Sequence, residues 1–468
     1  MLSKLQKEGL SGNSTTRYNW QIDVHNTGSD WYFENIPDEI GVTDHFIEQD
    51  RRTGTRTLLT VPLIGWTPKR RLANHPYDCG FPRTVFPNQD DFDPWDTNCG
   101  NGEWQGNPIA GASPYSTSIP ITTTFVISWI RHLTTTYGTA AQGGVLFYNL
   151  DNEPMLWNST HRDVHPTPTS YDEMRDRTYL YAAAVKAADP SAQTLGPVLW
   201  GWTAYFYSAL DAAPGGAWWN NPLDRLAHGN TPFVPWYLQQ MRAYETTYGV
   251  RILDYLDLHY YPQAEDVSLS PAGNAETQAR RLRSTRSLWY PTYTDESWIG
   301  EPVYLIPRMK QWVADNYPGT RLAITEYNWG ALDHINGALA QADVLGIFGR
   351  EGLDLATLWG PPEAGQPGAF AFRMYRNYDG LGHAFGETSV RAVSADQGKL
   401  SIYAARRSGD GALTLMVVNK TGQTFTSTVA ITGFTPAATA QVYRYSAANL
   451  SAIVRAPDQG VTIALSGV

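Results

Sequence analysis

Two glutamates stand where a carboxylate can do chemistry. In YNLDNEPMLW (148–157) the apolar run Val145, Leu146, Phe147, Tyr148 leads into Asn152, Glu153 and Pro154. The run reads as a buried strand, and proline cannot carry its ladder onward, so Glu153 falls at the strand's carboxyl end. LAITEYNWG (322–330) repeats the logic: Leu322, Ala323 and Ile324 are buried, and Glu326 arrives at the end. In α/β folds the carboxyl rim of the sheet is where active sites are assembled. Two such glutamates, remote in sequence, would face one another across a barrel mouth. A carboxyl pair flanking one bond is the minimal equipment for cleaving a glycoside: one group protonates the leaving oxygen, the other attacks or assists at the anomeric carbon.

The neighbours suggest how the work is divided. Asn152 beside Glu153 suits a hydrogen bond to a sugar 2-hydroxyl that strengthens in the transition state, which makes Glu153 the acid/base and Glu326 the nucleophile. In LHYYP (258–262) His259 and Tyr261 share one face by strand alternation, so Tyr261 can hold the nucleophile and His259 can orient the pair. A satisfied structural histidine is the competing reading of His259. Trp359, closing LATLWG (355–360), is placed to floor the pocket under the cleaved sugar, with core packing as its alternative. Trp20, Trp66, Trp202 and Trp329 are further candidate sugar platforms, and Trp31 and Tyr32 extend the set. The chemistry requires Glu153 neutral and Glu326 ionised at one pH. A carboxyl gap of ~5 Å would mean retention of configuration, and ~6.5–9.5 Å inversion.

Such a pair needs rigid elements to position it. The interval from about residue 40 to 385 alternates short apolar runs with amphipathic stretches, the pattern of repeated βα units. Strands are expected in TLLTVPLIGW, GVLFYNLDNEP, QTLGPVLWGW, LDYLDLHYYP, RLAITEYNWG and LDLATLWG. Helices are expected in DHFIEQDRRTG, ITTTFVISWIRHLTTTYG, DEMRDRTYLYAAAVKAADP, PWYLQQMRAYETTYG, YLIPRMKQWVADNYPG and NGALAQADVLGIFGREG. No glycine-rich nucleotide motif interrupts them, which favours a barrel over a doubly wound sheet. Past residue 386, LSIYAARRS, ALTLMVVNK, FTSTVAITGF, TAQVYRYS, SAIVRAP and GVTIALSGV are short and β-branched. The fold class is therefore α/β, a TIM-like (β/α)8 barrel over 1–385 followed by a small C-terminal β-sandwich over 386–468. The long insertions 67–118, 211–235 and 263–299 read as functional loops.

Bulk composition narrows the partner. A formal charge of −10 disfavours nucleic acid and anionic membrane. No apolar run approaches the ~18 residues that span a bilayer. The aromatic share of 13%, with 17 Trp and 27 Tyr, exceeds what a core needs and suits sugar faces lying on rings. The expected partner is a polysaccharide or oligosaccharide, and the chain is expected to act as a monomer. Cys79 and Cys99 lie in one Pro/Asp/Asn-rich loop; pairing is favoured and points to a secreted protein, although the opening MLSKLQKEGL lacks a signal-peptide apolar core. No cofactor is required. Asp90, Asp91, Asp93 and Asp96 are oxygen ligands of the kind calcium uses, but solvated turns explain them better than an EF-hand does. His161 and His165 have metal-like separation without a third ligand.

With NLDNEP, LHYYP, ITEYNWG and LATLWG in that order, the chain resembles clan A of the glycoside hydrolases. TTRYNW followed by GSDWYFEN resembles family 44, over about residues 11–468. The resemblance implies a retaining endo-β-1,4-glucanase on a (β/α)8 barrel with a β-sandwich, active on cellulose-like glucan and often on xyloglucan, xylan or mixed-linkage glucan. Glu153 then matches the acid/base and Glu326 the nucleophile, with Asn152, His259, Tyr261 and Trp359 at matching subsite positions. The clan pattern also asks for two strands ahead of TLLTVPLIGW, and KEGLSGN stands where members resemble Arg-Trp-Gly-Gly-Asn. The expectation is a chain truncated at its N-terminus whose barrel is propped by residues 1–10. A non-catalytic carbohydrate-binding barrel and an exo-acting β-glycosidase are the rival readings; the first needs neither glutamate.

Overall fold

The computed structural model describes residues 2–4, 12–213, 218–424 and 427–460. The chain divides into two compact units. The first comprises 1–260, 309–326 and 354–357, and the second 261–308, 327–353 and 358–468.

A seven-stranded sheet dominates the first unit. Its strands are β1 (Leu2–Lys4), β2 (Arg56–Val61), β3 (Phe147–Leu150), β4 (Gln193–Leu199), β5 (Tyr255–Tyr260), β6 (Arg321–Tyr327) and β7 (Leu355–Leu358), and they neighbour one another in chain order. From β1 to β5 the pairing is parallel. Helices α1 (Val42–Thr53), α2 (Thr123–Tyr137), α3 (Tyr171–Ala188), α4 (Phe233–Tyr248), α5 (Leu305–Asn316) and α6 (Ile335–Glu351) return the chain between strands. This is the sheet of a TIM-like β/α barrel. All six strands and six helices expected from the apolar pattern are present, because each combines the right period with a terminator. Gly54, Gly249 and Gly352 close α1, α4 and α6 in the left-handed conformation that only glycine adopts cheaply.

Of the expected prop by residues 1–10, Leu2–Lys4 pair with Arg56–Leu58, and the rest lies outside the described residues. Between β1 and β2 the chain makes a 3-10 turn at Gly12–Arg17 and a small antiparallel sheet of Tyr18–Asn19, Val24–Asn26 and Asn35–Pro37.

The inward faces stack in layers. Leu58, Phe147, Leu195, Tyr255, Ala323 and Leu355, one from each strand β2 to β7, form a buried apolar ring. Two residues onward the ring turns polar: Asn149 donates to Thr325 Oγ1 (3.3 Å), Thr325 donates to Asp257 (2.8 Å), and Thr357 donates to the Thr325 carbonyl (2.5 Å). Strand alternation carries the same face upward to Asp151 and His259. The apolar floor fixes the strands, and the polar belt fixes what stands above it.

In the second unit, Leu400–Arg406 pairs antiparallel with Thr388–Val390 and with Leu413–Asn419, and Thr439–Ser446 pairs with Asn449–Gly460. Three of the six expected sandwich segments emerge as drawn, and SAIVRAP joins the long last strand. FTSTVAITGF forms no strand over its described residues 427–434, which are mostly exposed; β-branched composition makes a strand only where a partner ladder exists. GVTIALSGV falls largely outside the described residues. The insertion 263–299 contains a helix over Ala275–Ser284, contrary to the expected loop. Its apolar stripe is nearly absent, and a buried arginine takes its place. Arg281 donates to the carbonyls of Trp329 (2.6 Å) and Pro271 (2.8 Å) and to Asn336 Oδ1 (2.8 Å).

Candidate active site

Glu153 follows β3 through an unusual turn. Asp151 (φ 72°) and Glu153 (φ 46°) both adopt the left-handed region, which non-glycine residues enter only when the surroundings hold them there. The holder is Asp151. Its fully buried carboxylate accepts from Thr16 Oγ1 (2.6 Å), Asn152 N (2.7 Å) and Trp157 Nε1 (3.2 Å) through one oxygen. The other accepts from Leu63 N (2.5 Å) and Ile64 N (3.2 Å). Burial raises this carboxyl to about 6, and the donors restrain the rise. Pro154 then opens a 3-10 turn, and Glu153 N donates to the Val198 carbonyl (3.1 Å), tying the turn to β4.

Glu326 stands near the end of β6, and His259 near the end of β5. The imidazole is completely buried between the two carboxylates, its Nδ1 2.8 Å from Glu153 Oε1 and 3.4 Å from Glu326 Oε2. One ligating atom of each of the three residues lies within 4.8 Å of the others. The Tyr205 hydroxyl donates to the His259 carbonyl (2.5 Å) and pins the strand end. Two carboxylates and an imidazole are also a donor set that a divalent cation accepts, and among the described residues it is the one group of three that converges this closely. The same set is a carboxyl pair with the histidine that spaces it.

The remaining sequence candidates separate by burial. Asn152 lies beside Glu153 at 2% exposure. Tyr261 follows directly on β5 in the second unit. Trp359 follows β7 there; its N–H donates to the Tyr327 carbonyl (3.1 Å), and its carbonyl accepts from Asn328 (2.7 Å). Trp66 is half-buried, edge-on to Tyr115. Two platform assignments fall, because a ring covered by protein cannot lie under a sugar. Trp329 is 1% exposed with its Nε1 bonded to Ser284. Trp202 is buried against Phe206, ring centroids 4.8 Å apart. Trp20, by contrast, is half-buried, and its ring stacks on His132 of α2 with centroids 5.5 Å apart. Trp200, two residues from Trp202, is half-buried and with Met155, Asn158, Thr203 and Tyr207 lines a cavity of about 220 Å³.

Sequence reading also passed over Asp151, although a carboxylate in NLDNEP one turn short of an apolar run was a signal. It passed over Asp30, whose carboxyl is pushed up by lost solvation and by the charges of Glu153 and Glu326, while a bond from Asn13 opposes the rise.

In the 67–118 insertion Cys79 and Cys99 form a disulfide, Cα atoms 5.7 Å apart. Asp90 accepts from the backbone of Gln105 and Gly106, Asp91 from the Tyr32 hydroxyl, Asp93 from the backbone of Trp95 and Asp96, and Asp96 from the backbone of Tyr77. Asp93 builds a local turn, whereas Asp90, Asp91 and Asp96 tie together segments 15 or more residues apart, and Asp93 and Asp96 are buried rather than solvated. Glu34, buried against Asp93, is raised to about 9 by burial and that neighbour. His161 is fully buried and His165 bonds Glu173 (2.8 Å). No described helix is long and apolar enough to cross a membrane.

The family model of glycoside hydrolase family 44 matches residues 24–264. The chain belongs to glycoside hydrolase family 44. This family 44 chain is 44% identical to CelM2, a bifunctional glucanase-xylanase from a metagenome library, with TM-score 0.91 over 97% of this chain and 88% of that one. It is 29% identical to a xyloglucanase of Paenibacillus polymyxa solved with xyloglucan, TM-score 0.77 over 97% and 89%. Endoglucanase A of Paenibacillus lautus is 32% identical over 437 residues, 88% of this chain and 59% of that protein. The family 44 chain thus spans about three fifths of that curated relative.

Proposed function

We propose that the chain is a retaining, endo-acting glycoside hydrolase that cleaves β-1,4-glucan, cellulose-like or xyloglucan, with xylan and mixed-linkage glucan as further substrates. The observation that carries the reading is the convergence of Glu153, Glu326 and His259, one ligating atom of each within 4.8 Å of the others, which supports the short carboxyl gap that direct attack requires. The names of the family 44 relatives support the substrate class.

Glu153 enters protonated and gives its proton to the leaving glycosidic oxygen as Glu326 bonds the anomeric carbon. The proton transfer leaves Glu153 ionised, and the covalent bond removes the charge from Glu326. Glu153 then takes a proton from water, which displaces Glu326 and returns both groups to their starting states. His259, donating from Nδ1 to Glu153, holds the two carboxyls apart at the working distance. Residues 1–385 carry this chemistry, with 386–468 in a supporting role. The disulfide favours a secreted protein.

The test is product analysis on carboxymethylcellulose, xyloglucan and xylan. Endo action gives rapid viscosity loss with few new reducing ends. Glu153→Gln and Glu326→Gln should each lose about 10³-fold or more in kcat on polysaccharide. Azide should rescue Glu153→Ala with a β-glycosyl azide product and Glu326→Ala with an α product. Undiminished hydrolysis by either glutamine variant ends the proposal.

A further inference from the structure

The segment Gly12–Arg17 runs beneath the Glu153 turn and is clamped in place. Arg17, fully buried, donates to both oxygens of Asp163 (2.8 and 2.7 Å) and to Ser118 (2.7 Å), while Thr16 bonds Asp151. Asn13 is thereby presented to Asn152. Its Oδ1 accepts from Asn152 Nδ2 (3.2 Å), and its own Nδ2 donates to Asp30 Oδ1 (3.1 Å). Asn152 Oδ1 is buried and has no hydrogen-bond partner among the described residues.

The order of these contacts has a polarity. An ionised carboxylate only accepts, so Asp30 forces the NH2 end of Asn13 toward itself. The Asn13 oxygen must then face Asn152, which turns the Asn152 NH2 toward Asn13 and its oxygen away. An amide that would otherwise be free to flip is set by a charge two residues along a hydrogen-bonded chain. What is left is an acceptor, buried and unmatched among the described residues, immediately before Glu153.

We propose that Asn13 and Asp30 are positioning residues that fix Asn152 as a hydrogen-bond acceptor for the 2-hydroxyl of the sugar at the cleaved bond. This rests on the glycosidase reading above. As positive charge develops on the sugar ring in the transition state, the 2-hydroxyl becomes a stronger donor, so an oxygen held toward it acts there more than in the ground state. Asn13 and Asp30 touch no substrate and act through Asn152.

The test compares a 4-nitrophenyl β-cellobioside with its analogue lacking the 2-hydroxyl on the sugar that bears the nitrophenyl group. Each variant is compared with the parent on the same substrate, which cancels intrinsic reactivity. Asn13→Ala should lose about tenfold in kcat/KM on the full substrate, chiefly in kcat, and less than about twofold on the deoxy analogue. Asn152→Ala should show the same selectivity with a larger loss. Asp30→Leu should follow Asn13→Ala, and Asp30→Asn, which retains an oxygen acceptor, should recover most of that loss. Should Asn13→Ala melt early, the two Asp30 variants at the exposed loop carry the comparison. Equal losses on both substrates, or no loss on the full one, overturn the inference and leave the glutamate assignment standing. Full polysaccharide activity in a parallel Glu153→Gln sample overturns the underlying reading instead.

Discussion

Asp151→Asn probes how the Glu153 turn is held. The carboxylate serves five donors, three on one oxygen and two on the other. An amide can present only one oxygen. If that oxygen keeps Thr16, Asn152 and Trp157, the NH2 group meets the backbone N–H groups of Leu63 and Ile64, and two charge-assisted bonds of ~1.5–3 kcal/mol each are lost. Against this stands the cost of holding a buried charge. Moving the carboxyl from its ordinary 3.8 to about 6 means that ionisation costs the folded protein about 3 kcal/mol more than the unfolded chain. The neutral amide escapes that cost, so at pH 7 the two effects largely offset and the net destabilisation is about 0–3 kcal/mol.

The sign with pH is the discriminating part. A raised folded-state value gives stability that is present in full below about 3.8 and is lost as pH rises through about 6. The parent therefore gains stability on acidification from this group and Asp151→Asn does not. The difference between them should widen by about 2–3 kcal/mol from pH 7 to pH 4. Urea unfolding of both proteins at the two pH values measures it. A gap that narrows on acidification would mean that the donors, and not burial, dominate, and would refute this account of the turn.

Three other outcomes follow from the geometry. His259→Ala should lower kcat by about 10²-fold and alter the pH–rate profile, because the imidazole that stands between the carboxyls is gone; an unchanged profile would assign His259 a packing role. Lys420→Met leaves Asp343 buried, with Tyr403 (2.7 Å) and Thr285 (2.7 Å) as its side-chain partners among the described residues, and should destabilise the fold by about 3–5 kcal/mol in calorimetry. Reduction of Cys79–Cys99, or Cys79→Ser, should cost about 3 kcal/mol by freeing a loop with a sequence separation of 20, seen as a lower Tm in reductant.

Periodicity and chain-terminating residues were enough to locate every barrel strand from β2 to β7 and the six helices α1 to α6, and to place Glu153 and Glu326 at strand ends. Those are local properties: an apolar alternation or a proline acts on its own neighbours wherever the segment ends up. The helix Ala275–Ser284 escaped because its buried anchor is Arg281, whose partners are backbone carbonyls that no pattern in the sequence announces. The tryptophans divided in the same way. Their number was legible, but whether a ring faces a cavity, as Trp200 does, or a neighbouring ring, as Trp202 does, depends on which surface packs over it.

By itself, then, the sequence determined the order of elements, the two carboxylates and their family. It could not determine the gap between the carboxylates, the imidazole placed in that gap, or the charge at Asp30 that orders Asn13 and Asn152. Each of these is a distance or a direction between segments far apart in the chain. Such quantities exist only after assembly of the sheet brings the strand ends together, since no local preference of backbone or side chain encodes them.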